Sequence, residues 1–476
     1  MSVRALARLT LCVLARDEER ALGGCLDSAR GLADEVVVGD TGSSDGTVAL
    51  ARARGARVEA ILWTDHFAEA RNALLAHARG EWVLVLDADE RLDGADHSVV
   101  RAALAPTHDA WWMVCRNYVR DASACAPEEL RPAPDAHPEA SGAVGWYPST
   151  AYRLWRRAAA LRFAGRLHEM LDVSALPPSR VGFLAAPIHH LGTLEGASTR
   201  KRAYYLRLGR IRTGEEPHDE RAWYDLALAQ AREGVPREAA ASLERAFSLA
   251  PDHPQILLER VRFAVDACAR SPGDPALLGE ARTRVAVARG RLPRDRQGEG
   301  ALLEARLEGA HGDATRALGI VRALPEGIGF ARHHLEGVLL CRLGRCAEAL
   351  APLDRALSLV PGHADARHHR AYALMQTGNA AAAGREWEAL MATVRPDSPA
   401  REAVVRSLAA ARLALGDADG ALSALAAGPA TPAVAKDRSR VLLRCGRTRE
   451  ALEALSGHAS DAETEALRDL ARRGRG

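Results

Sequence analysis

The second half of the chain repeats itself. A glycine is followed five residues later by an alanine, and most copies start 30 to 38 residues after the one before: Gly234, Gly312, Gly344, Gly378, Gly416 and Gly446. A repeat of this length buries its apolar face only against its neighbours in a stack. Glycine ends a helix at a tight turn, and alanine lets two helices approach closely. The spacing therefore predicts a solenoid of helix hairpins that counts as one unit.

The residues around these glycines resemble the tetratricopeptide repeat. Five residues near the first copy fall at that family's consensus offsets: Trp223, Leu226, Ala239, Ala246 and Pro251. The resemblance implies about six or seven helix hairpins over residues 217–476, with a concave surface suited to extended peptides and helices. A helical solenoid of another type is the alternative interpretation.

The first half of the chain follows a different pattern. Before residue 200, short β-branched runs alternate with helical stretches, and strands are predicted at 9–15, 35–39, 57–62 and 82–86. Strict alternation at these lengths implies βαβ crossovers and a mostly parallel sheet with helices on both faces. Ligands of such sheets bind outside the carboxyl ends of the strands. The expected domains are an α/β domain over residues 1–195, a helical connector over 196–216 and an all-α solenoid over 217–476.

Two aspartates follow the fourth predicted strand directly. The sequence GEWVLVLDADERLD carries Asp87 and Asp89, and side chains two residues apart on an extended backbone point to the same side. Two like charges at the end of an apolar strand are costly unless a cation joins them. A few hard oxygen ligands suit Mg²⁺ or Mn²⁺ that is completed by phosphate oxygens and water. The alternative is a solvated junction between a strand and a turn.

Another acidic residue follows the second predicted strand. Asp40 leads into the Gly/Ser-rich loop 41–46, and a carboxylate at this place suits hydrogen bonds from a nucleobase N–H or a ribose hydroxyl. Read alone, the loop could equally cap the next helix through Ser43 or Ser44, with Asp45 at the positive end of the helix dipole. We expect the loop to do both.

Four motifs in a fixed order carry a second family resemblance. The segments LTLCVLARDEE, EVVVGDTGSSDGT, FAEARNALL and GEWVLVLDADE resemble the nucleotide-binding half of family 2 glycosyltransferases, which have the Rossmann-like GT-A fold. The resemblance covers residues 9 to about 195. It implies transfer of a sugar from a nucleotide diphosphate sugar, usually a UDP-sugar, to an acceptor with inversion at the anomeric carbon.

The resemblance also assigns nucleotide-binding residues. Ala15 and Asp17, at the end of the first strand, would border the base, and Asp40 would hold uracil or ribose. Arg71 in the Ala-Arg-Asn tripeptide would help to hold the nucleotide. The chain departs from the family at residues 16–19, which are Arg-Asp-Glu-Glu where the family often has Lys-Asn-Glu-Glu.

Metal-binding roles follow from the same resemblance. Asp87 would face both the ribose and the metal, and Asp89 would ligate the metal. The later segments YRLWRRAAALRFAGRLHEML and AAPIHHLGT match the subgroup of the family that carries C-terminal tetratricopeptide repeats. The second of them implies that His190, or alternatively His189, is a third metal ligand. An imidazole ligand favours Mn²⁺ somewhat over Mg²⁺.

The first of these later segments implies a general base. Inverting transfer is a single displacement, so the acceptor O–H or S–H loses its proton as it attacks, and one carboxylate suffices to take it. Glu169 in the His-Glu pair is the implied base, and Asp172 is the reserve candidate.

Charge and hydropathy exclude other classes of protein. The 64 basic and 62 acidic side chains leave a net charge of +2, which excludes a strong overall field for nucleic acid. No apolar run approaches 18 residues, and the apolar segment 9–15 continues into charged residues as a strand would, so neither a membrane span nor a signal peptide is expected. The eight cysteines form no C-x-x-C pair. We therefore expect a cytoplasmic protein with reduced thiols.

The sequence as a whole predicts a metal-dependent inverting glycosyltransferase. Its cofactor would be Mn²⁺ or Mg²⁺, its donor a nucleotide diphosphate sugar of the UDP type, and its acceptor a peptide or protein presented by the repeats. The alternative is a protein-binding scaffold in which the repeats act and the transferase domain is degenerate.

Overall fold

The computed structural model describes residues 8–105, 107–120, 129–133, 136–194, 199–271, 273–325, 328–394, 399–458 and 461–473. The strands in these ranges are β1 Leu9–Ala15, β2 Glu35–Asp40, β3 Arg57–Ala60, β4 Trp82–Asp87, β5 Glu90–Leu92, β6 Ala110–Val119, β7 Gly145–Arg156, β8 Arg162–Ala164, β9 Met170–Asp172, β10 Val181–Phe183 and β11 Ile188–His190. The helices among the strands are α1 Leu22–Ser28, α2 Thr47–Ala53, α3 Phe67–Leu75 and α4 His97–Ala103.

Helices alone follow from residue 199 onward. They are α5 Thr199–Glu215, α6 Glu220–Arg232, α7 Pro236–Leu249, α8 Pro254–Arg270, α9 Pro275–Arg291, α10 Gln297–His311, α11 Ala314–Arg322, α12 Phe330–Arg342, α13 Cys346–Leu359, α14 Ala364–Gln376, α15 Ala380–Thr393, α16 Pro399–Ala414, α17 Ala418–Ala426, α18 Pro432–Arg444, α19 Thr448–Ala454 and α20 Ala462–Arg473. In the described part of the chain, none of these helices has the length and apolarity that crossing a bilayer requires.

The first strands form the parallel half of a mixed sheet. The strand order is β3-β2-β1-β4-β7-β6-β11-β5, with β10 beside β6. Strands β1 to β4 pair in parallel, as the alternating sequence predicts, whereas β7 is antiparallel to both β4 and β6. An antiparallel pair needs no helical crossover, so the strand-helix alternation ends at β4 although the sheet continues. The predicted α/β fold class is confirmed.

The central strands β1 and β4 are buried on both faces. Along β1, Leu11 and Val13 pack into one hydrophobic cluster, while Cys12 between them packs into the cluster on the opposite face. Alternate side chains of a strand point to opposite faces, and burial on both faces explains the continuous apolar runs. The register pairs Ala15 with Asp40 and Leu14 with Asp87. The ends of β1, β2 and β4 therefore meet at one edge of the sheet.

The helical region consists of successive hairpins, as the repeat spacing predicts. Five of the repeat glycines adopt the left-handed conformation that favours glycine; they lie between paired helices at Gly234, Gly344, Gly378, Gly416 and Gly446. The alanine five residues after each of them is fully buried: Ala239, Ala349, Ala383, Ala421 and Ala451. The solenoid part of the predicted fold class is confirmed.

The chain packs as two compact units. The first comprises residues 1–300, and the second residues 301–476. Helices α5 to α9 thus belong to the same compact unit as the sheet. The domain boundaries at 195 and 217 remain predictions from the sequence.

Candidate active site

Asp40 and Asp17 shape the loop that follows β2. The Asp40 carboxylate accepts the N–H groups of Gly42 at 3.2 Å and of Ser43 at 3.1 Å. Asp17, which has a positive φ of 55°, accepts the N–H of Ser44 at 2.7 Å and its hydroxyl at 3.0 Å. These bonds from Ser44 hold the pKa of Asp17 below its usual value. Both carboxylates therefore lie at the edge where a nucleotide is expected, and they fix the loop that borders it.

Neither Ser43 nor Ser44 caps helix α2, which begins at Thr47 with Gly46 as its N-cap. The acidic residue of the loop does act at this helix terminus, since the Asp45 carboxylate accepts the N–H of Thr47 at 3.0 Å. Ser43 instead accepts the N–H of Asp17 at 3.0 Å, and Ser44 donates to the Asp17 carboxylate. The serines join two loops because the end of β1 lies directly beside the end of β2.

Ala15 is the last residue of β1 and is buried. Its carbonyl oxygen accepts the N–H of Thr41 at 3.1 Å and the Thr41 hydroxyl at 3.3 Å. This carbonyl is therefore bonded to the chain just beyond β2, and Ala15 lies at the base of the loop that Asp17 and Asp40 shape.

Arg71 of α3 joins two of the predicted site residues. Its Nη2 lies 2.6 Å from Oδ1 of Asp87, and its Nε donates to Glu169. The side chains of Arg71 and Glu169 are each only 10% exposed. Burial works against the positive charge of Arg71, but Asp87 and Glu169 outweigh it and raise the pKa of the guanidinium. Residues far apart in sequence thus meet in one buried ion-pair cluster.

A second arginine compensates the acidic end of β4. Nη2 of Arg153, on β7, lies 3.5 Å from Oδ2 of Asp87 and 2.7 Å from Oε1 of Glu90. Burial works against the charge of Asp87, but Arg71 and Arg153 outweigh it and hold its pKa well below the usual range. Two arginine side chains of the protein therefore offset part of the charge of Asp87, which was expected to need a bound cation.

Glu169 lies in the turn that joins β8 to β9. The residue before it, His168, has a positive φ of 53°. Asn72, next to Arg71, donates to the Phe163 carbonyl at 2.9 Å and accepts the Phe163 N–H at 2.9 Å. Asn72 therefore holds β8 against α3, while Arg71 holds the carboxylate of Glu169. This pair of contacts gives a structural reason for the Ala-Arg-Asn tripeptide.

Asp89 does not lie on the strand that carries Asp87. Strand β4 ends at Asp87, and Asp89 occupies the turn before β5. The prediction that both carboxylates extend from one strand is therefore wrong. The Asp89 carbonyl accepts the N–H of Leu191 at 3.0 Å, which fixes this turn beside the end of β11.

His190 lies beside Asp89, and His189 does not. Nε2 of His190 is 3.3 Å from Oδ2 of Asp89, and its Nδ1 is 2.7 Å from Oδ1 of Asn117. Burial lowers the pKa of His190, but the contact with Asp89 outweighs it and raises the value to about 9. His189 is buried with its Nδ1 2.7 Å from the Tyr118 hydroxyl. Adjacent residues of a strand face opposite sides, so only His190 faces the candidate site.

Asp89 and His190 fit a divalent metal. A bond from Nδ1–H to Asn117 orients the ring and directs Nε2 at the carboxylate, where an ion would replace the Nε2 proton. This arrangement is common for metal-binding histidines. Gly192 also leaves room for the carboxylate, since a Cβ on this residue would lie 1.8 Å from Oδ2 of Asp89. The Asp89 carboxylate can therefore occupy this position because residue 192 has no side chain.

We expect the substitution Gly192→Ala to lower metal-dependent nucleotide affinity by about tenfold, because the new methyl group would displace the Asp89 carboxylate. The measurement is calorimetric titration with UDP at saturating Mn²⁺. Gly94→Ala is the matched control, since a Cβ there would meet nothing within 4 Å. Equal affinities in the two variants would show that Asp89 does not act from this position.

Besides Asn117 and Glu90, three residues that were not predicted from the sequence interact electrostatically with this cluster. Arg153 is described above. Glu18 is half-buried, and its burial together with the charge of Asp89 raises its pKa to about 7. Tyr205 of α5 has a raised pKa because of its burial and the charges of the carboxylates Asp87, Asp89, Glu169 and Glu18. Tyr205 lies in the segment expected to be a connector, and nothing in its sequence pattern indicates that it reaches the site.

Helix α5 also holds the segment that carries Glu169. Arg212 is 8% exposed, and its Nη1 donates to the Leu167 carbonyl at 2.8 Å and lies 3.2 Å from Oδ2 of Asp225 in α6. Its other nitrogens bond Glu216 at 2.8 Å and Asp219 at 2.7 Å. The chain two residues before Glu169 is therefore tied to the first helices that follow the sheet.

Replacing Arg212 with methionine is expected to destabilise the first compact unit by about 2 kcal/mol, which is typical for lost hydrogen bonds to charged groups. The loss stays moderate because Asp225 keeps its 3.0 Å pair with Arg221. Urea denaturation of the full chain measures the effect. Arg210→Met on the same helix is the control, because Arg210 is 55% exposed and pairs with Glu238, which is 53% exposed. A surface pair of this kind contributes little to stability. Equal denaturation midpoints would contradict the role of Arg212.

The sequence matches a family that fits this geometry. Residues 10–142 match the family model described as Glycosyl transferase family 2. This segment is a family 2 glycosyltransferase domain. The match covers the predicted site residues Asp17, Asp40, Arg71, Asp87 and Asp89. The resemblance stated from the motifs is confirmed.

The names of two similar proteins mention either TPR repeats or a glycosyltransferase. The chain is 37% identical over 172 residues to a TPR repeat-containing protein of Synechococcus elongatus, an alignment that covers 36% of this chain and 37% of that protein. It is 29% identical over 92 residues to an uncharacterized glycosyltransferase of Rickettsia bellii, covering 19% of this chain and 31% of the relative. The chain therefore spans about a third of the length of these curated relatives.

Solved structures resemble the chain more distantly. A thermophilic TPR protein of Thermus thermophilus is 22% identical with a TM-score of 0.32, and the match covers 37% of this chain and 92% of that protein. The Cut9-Hcn1 hetero-tetramer of the APC/C is 14% identical with a TM-score of 0.44, covering 58% of this chain and 53% of the matched chain.

Proposed function

We propose that this protein is a metal-dependent inverting glycosyltransferase that moves a sugar from a UDP-sugar to a peptide or protein acceptor. The observation that carries the proposal is the contact of Arg71 with both Asp87 and Glu169. It joins a residue expected at the nucleotide to the expected general base. The family 2 glycosyltransferase domain over residues 10–142 supports the same reaction class.

The donor would bind along the edge where β1, β2 and β4 end. Asp40 and Asp17 fix the loop that borders the base, with Ala15 beneath it. Asp40 would accept hydrogen bonds from uracil or ribose, and Asp87 would face the ribose. Arg71 keeps Asp87 ionised and in place.

Asp89 and His190 would hold Mn²⁺ or Mg²⁺, and Asp87 would face both this ion and the ribose. The ion would supply positive charge against the departing diphosphate, a Lewis-acid role that needs no protein nucleophile. The carboxylate and imidazole donors favour Mn²⁺ somewhat. Metal dependence thus rests on the donor set and on the space that Gly192 leaves for Asp89.

Glu169 would act as the general base. The acceptor hydroxyl or thiol attacks the anomeric carbon opposite the diphosphate, and its proton passes to the Glu169 carboxylate. Arg71 orients this carboxylate through Nε, and Arg212 holds the chain just before it. A single displacement of this kind inverts the configuration at the anomeric carbon.

The helical repeats would present the acceptor. Stacked hairpins of this type form extended surfaces suited to peptides, and a peptide or protein acceptor fits them better than a small molecule. We place the protein in the cytoplasm on the composition of the chain. A scaffold with a degenerate transferase domain is the alternative, and no contact in the site favours it.

A hydrolysis screen tests the proposal without an acceptor. The full chain would be incubated with UDP-, GDP- and dTDP-sugars in Mn²⁺ or EDTA, and the released nucleotide diphosphate would be measured. The expected result is slow hydrolysis of a UDP-sugar that EDTA abolishes. Metal-independent release, or release confined to another nucleotide, would overturn the donor and cofactor assignments.

A further inference from the structure

A group of histidines lies within the second compact unit, which contains none of the candidate active-site residues. His334 is on α12, and Asp365 and His369 are on α14. Asp365 and His369 are four residues apart, so they lie on one face of the helix in consecutive turns. Two ligands at this helical spacing are a common half of a metal site.

The potential ligand atoms of these residues converge. One imidazole nitrogen of each histidine and one carboxylate oxygen of Asp365 all lie within 4.8 Å of one another. Nε2 of His334 is 3.2 Å from Oδ2 of Asp365. Tetrahedral ligands with bonds near 2.0–2.1 Å lie roughly 3.3 Å apart. The His334–Asp365 separation is therefore that of two ligands of one ion.

The contact between His334 and Asp365 is short but poorly aligned for a hydrogen bond. Nε2 of His334 is buried and makes no hydrogen bond of acceptable geometry, although the Asp365 oxygen is at hydrogen-bond distance. A buried imidazole nitrogen without such a bond is costly. An ion placed between this nitrogen and the carboxylate would satisfy both groups at once.

The surroundings hold the imidazole rings in place and leave access for an ion. Phe330 stacks on His334 with ring centroids 5.4 Å apart, and Nδ1 of His369 lies 2.9 Å from the backbone oxygen of Asp365. Asp365 is 58% exposed, which gives an ion a path from solvent. A cavity of about 200 Å³ adjoins His369 and leaves room for water; it is lined by Val338, Cys341, Arg342, His368, His369 and Tyr372.

We propose that His334, Asp365 and His369 form a second metal site, in the repeat region, that binds a divalent transition metal of the Zn²⁺ class. Two imidazoles and one carboxylate suit Zn²⁺, Co²⁺, Ni²⁺ or Cu²⁺ rather than the oxygen-preferring Mg²⁺ or Ca²⁺. Water completes the coordination on the open side. This site is independent of the proposed transferase activity.

The test uses the full chain with Asp89→Asn, so that the proposed active-site metal contributes least. After removal of metal with EDTA, the protein is titrated with Co²⁺ and followed by visible absorption, and Zn²⁺ is then added as a competitor. The expected result is saturable Co²⁺ binding with bands of tetrahedral coordination that Zn²⁺ abolishes.

Two added substitutions locate the ion. His369→Ala and His334→Gln are each expected to weaken binding by at least about tenfold, whereas His458→Ala, outside the cluster, leaves it unchanged. Circular dichroism checks that each variant is folded. If one variant is unfolded, the other one provides the test. Absence of saturable binding, or binding that neither substitution weakens, would overturn the proposal.

Discussion

Replacing Glu169 with glutamine is expected to lower turnover by about 100-fold or more while leaving UDP-sugar binding nearly unchanged. Glutamine has almost the same shape, but its amide does not accept the acceptor's proton. Arg71 keeps its 2.6 Å contact with Asp87 in this variant, so the nucleotide side of the cluster is retained. Turnover under saturating donor and donor affinity by calorimetry separate the two effects.

Asp172→Asn is the matched control for this prediction. Asp172 is exposed at the end of β9, and its Oδ1 accepts the N–H of Ser174 at 2.9 Å. Hydrogen bonds from the side chain and the backbone of Ser174 hold the pKa of Asp172 below its usual value, which makes it a weaker base. We expect turnover of this variant to stay near that of the unmodified chain. A large loss here together with unaltered turnover in Glu169→Gln would move the base to Asp172.

Replacing Asp89 with asparagine is expected to lower the affinity for UDP in Mn²⁺ by at least about 100-fold. Even partners outside the coordination sphere cost 10- to 100-fold in metal affinity, and Asp89 is proposed to contact the ion directly. His190 then also loses the carboxylate 3.3 Å away. Titrations with UDP in Mn²⁺ and in EDTA measure the metal-dependent part of the affinity.

The control for this substitution makes the same chemical change elsewhere. Asp419 is 97% exposed, with one charged neighbour at 3.8 Å, so Asp419→Asn tests the loss of a carboxylate alone. We expect its UDP affinity to be unchanged. Retained Mn²⁺-dependent affinity in Asp89→Asn would show that Asp89 is not the metal ligand.

Local sequence patterns made the parallel strands and the helix hairpins predictable. The apolar runs of β1 and β4 are buried on both faces, and the acidic residues Asp40 and Asp87 mark the ends of the two strands that flank β1. The repeat glycines marked helix turns because a left-handed backbone requires a residue without a Cβ. These signals are short in range and appear directly in the sequence.

The compensation of charge at the site was not predictable in this way. Arg153 reaches Asp87 and Glu90 because β7 is inserted beside β4 in antiparallel pairing, and no local spacing indicates that pairing. The position of Asp89 likewise depends on the residue at which β4 ends. Both features are set by contacts between distant segments.

The extent of the first compact unit depends on such contacts too. Arg212 ties the Leu167 backbone to Asp225, and Glu129 accepts hydrogen bonds from Gln255 and Arg262 of α8 at 3.3 Å. A repeat pattern predicts how hairpins stack on one another, whereas side-chain contacts decide which of them also pack with the sheet.

The edge formed by β1, β2 and β4 is proposed to bind a nucleotide diphosphate together with a divalent metal. The most direct test is the melting temperature of the unmodified full chain with millimolar UDP in Mn²⁺, in Mg²⁺ and in EDTA. A ligand at 100 times its Kd stabilises the folded state by about 2.7 kcal/mol, so we predict a rise of several degrees that requires a metal and is largest with Mn²⁺. An unchanged melting temperature with UDP in the presence of either metal would contradict the assignment of a metal-dependent nucleotide site to this edge.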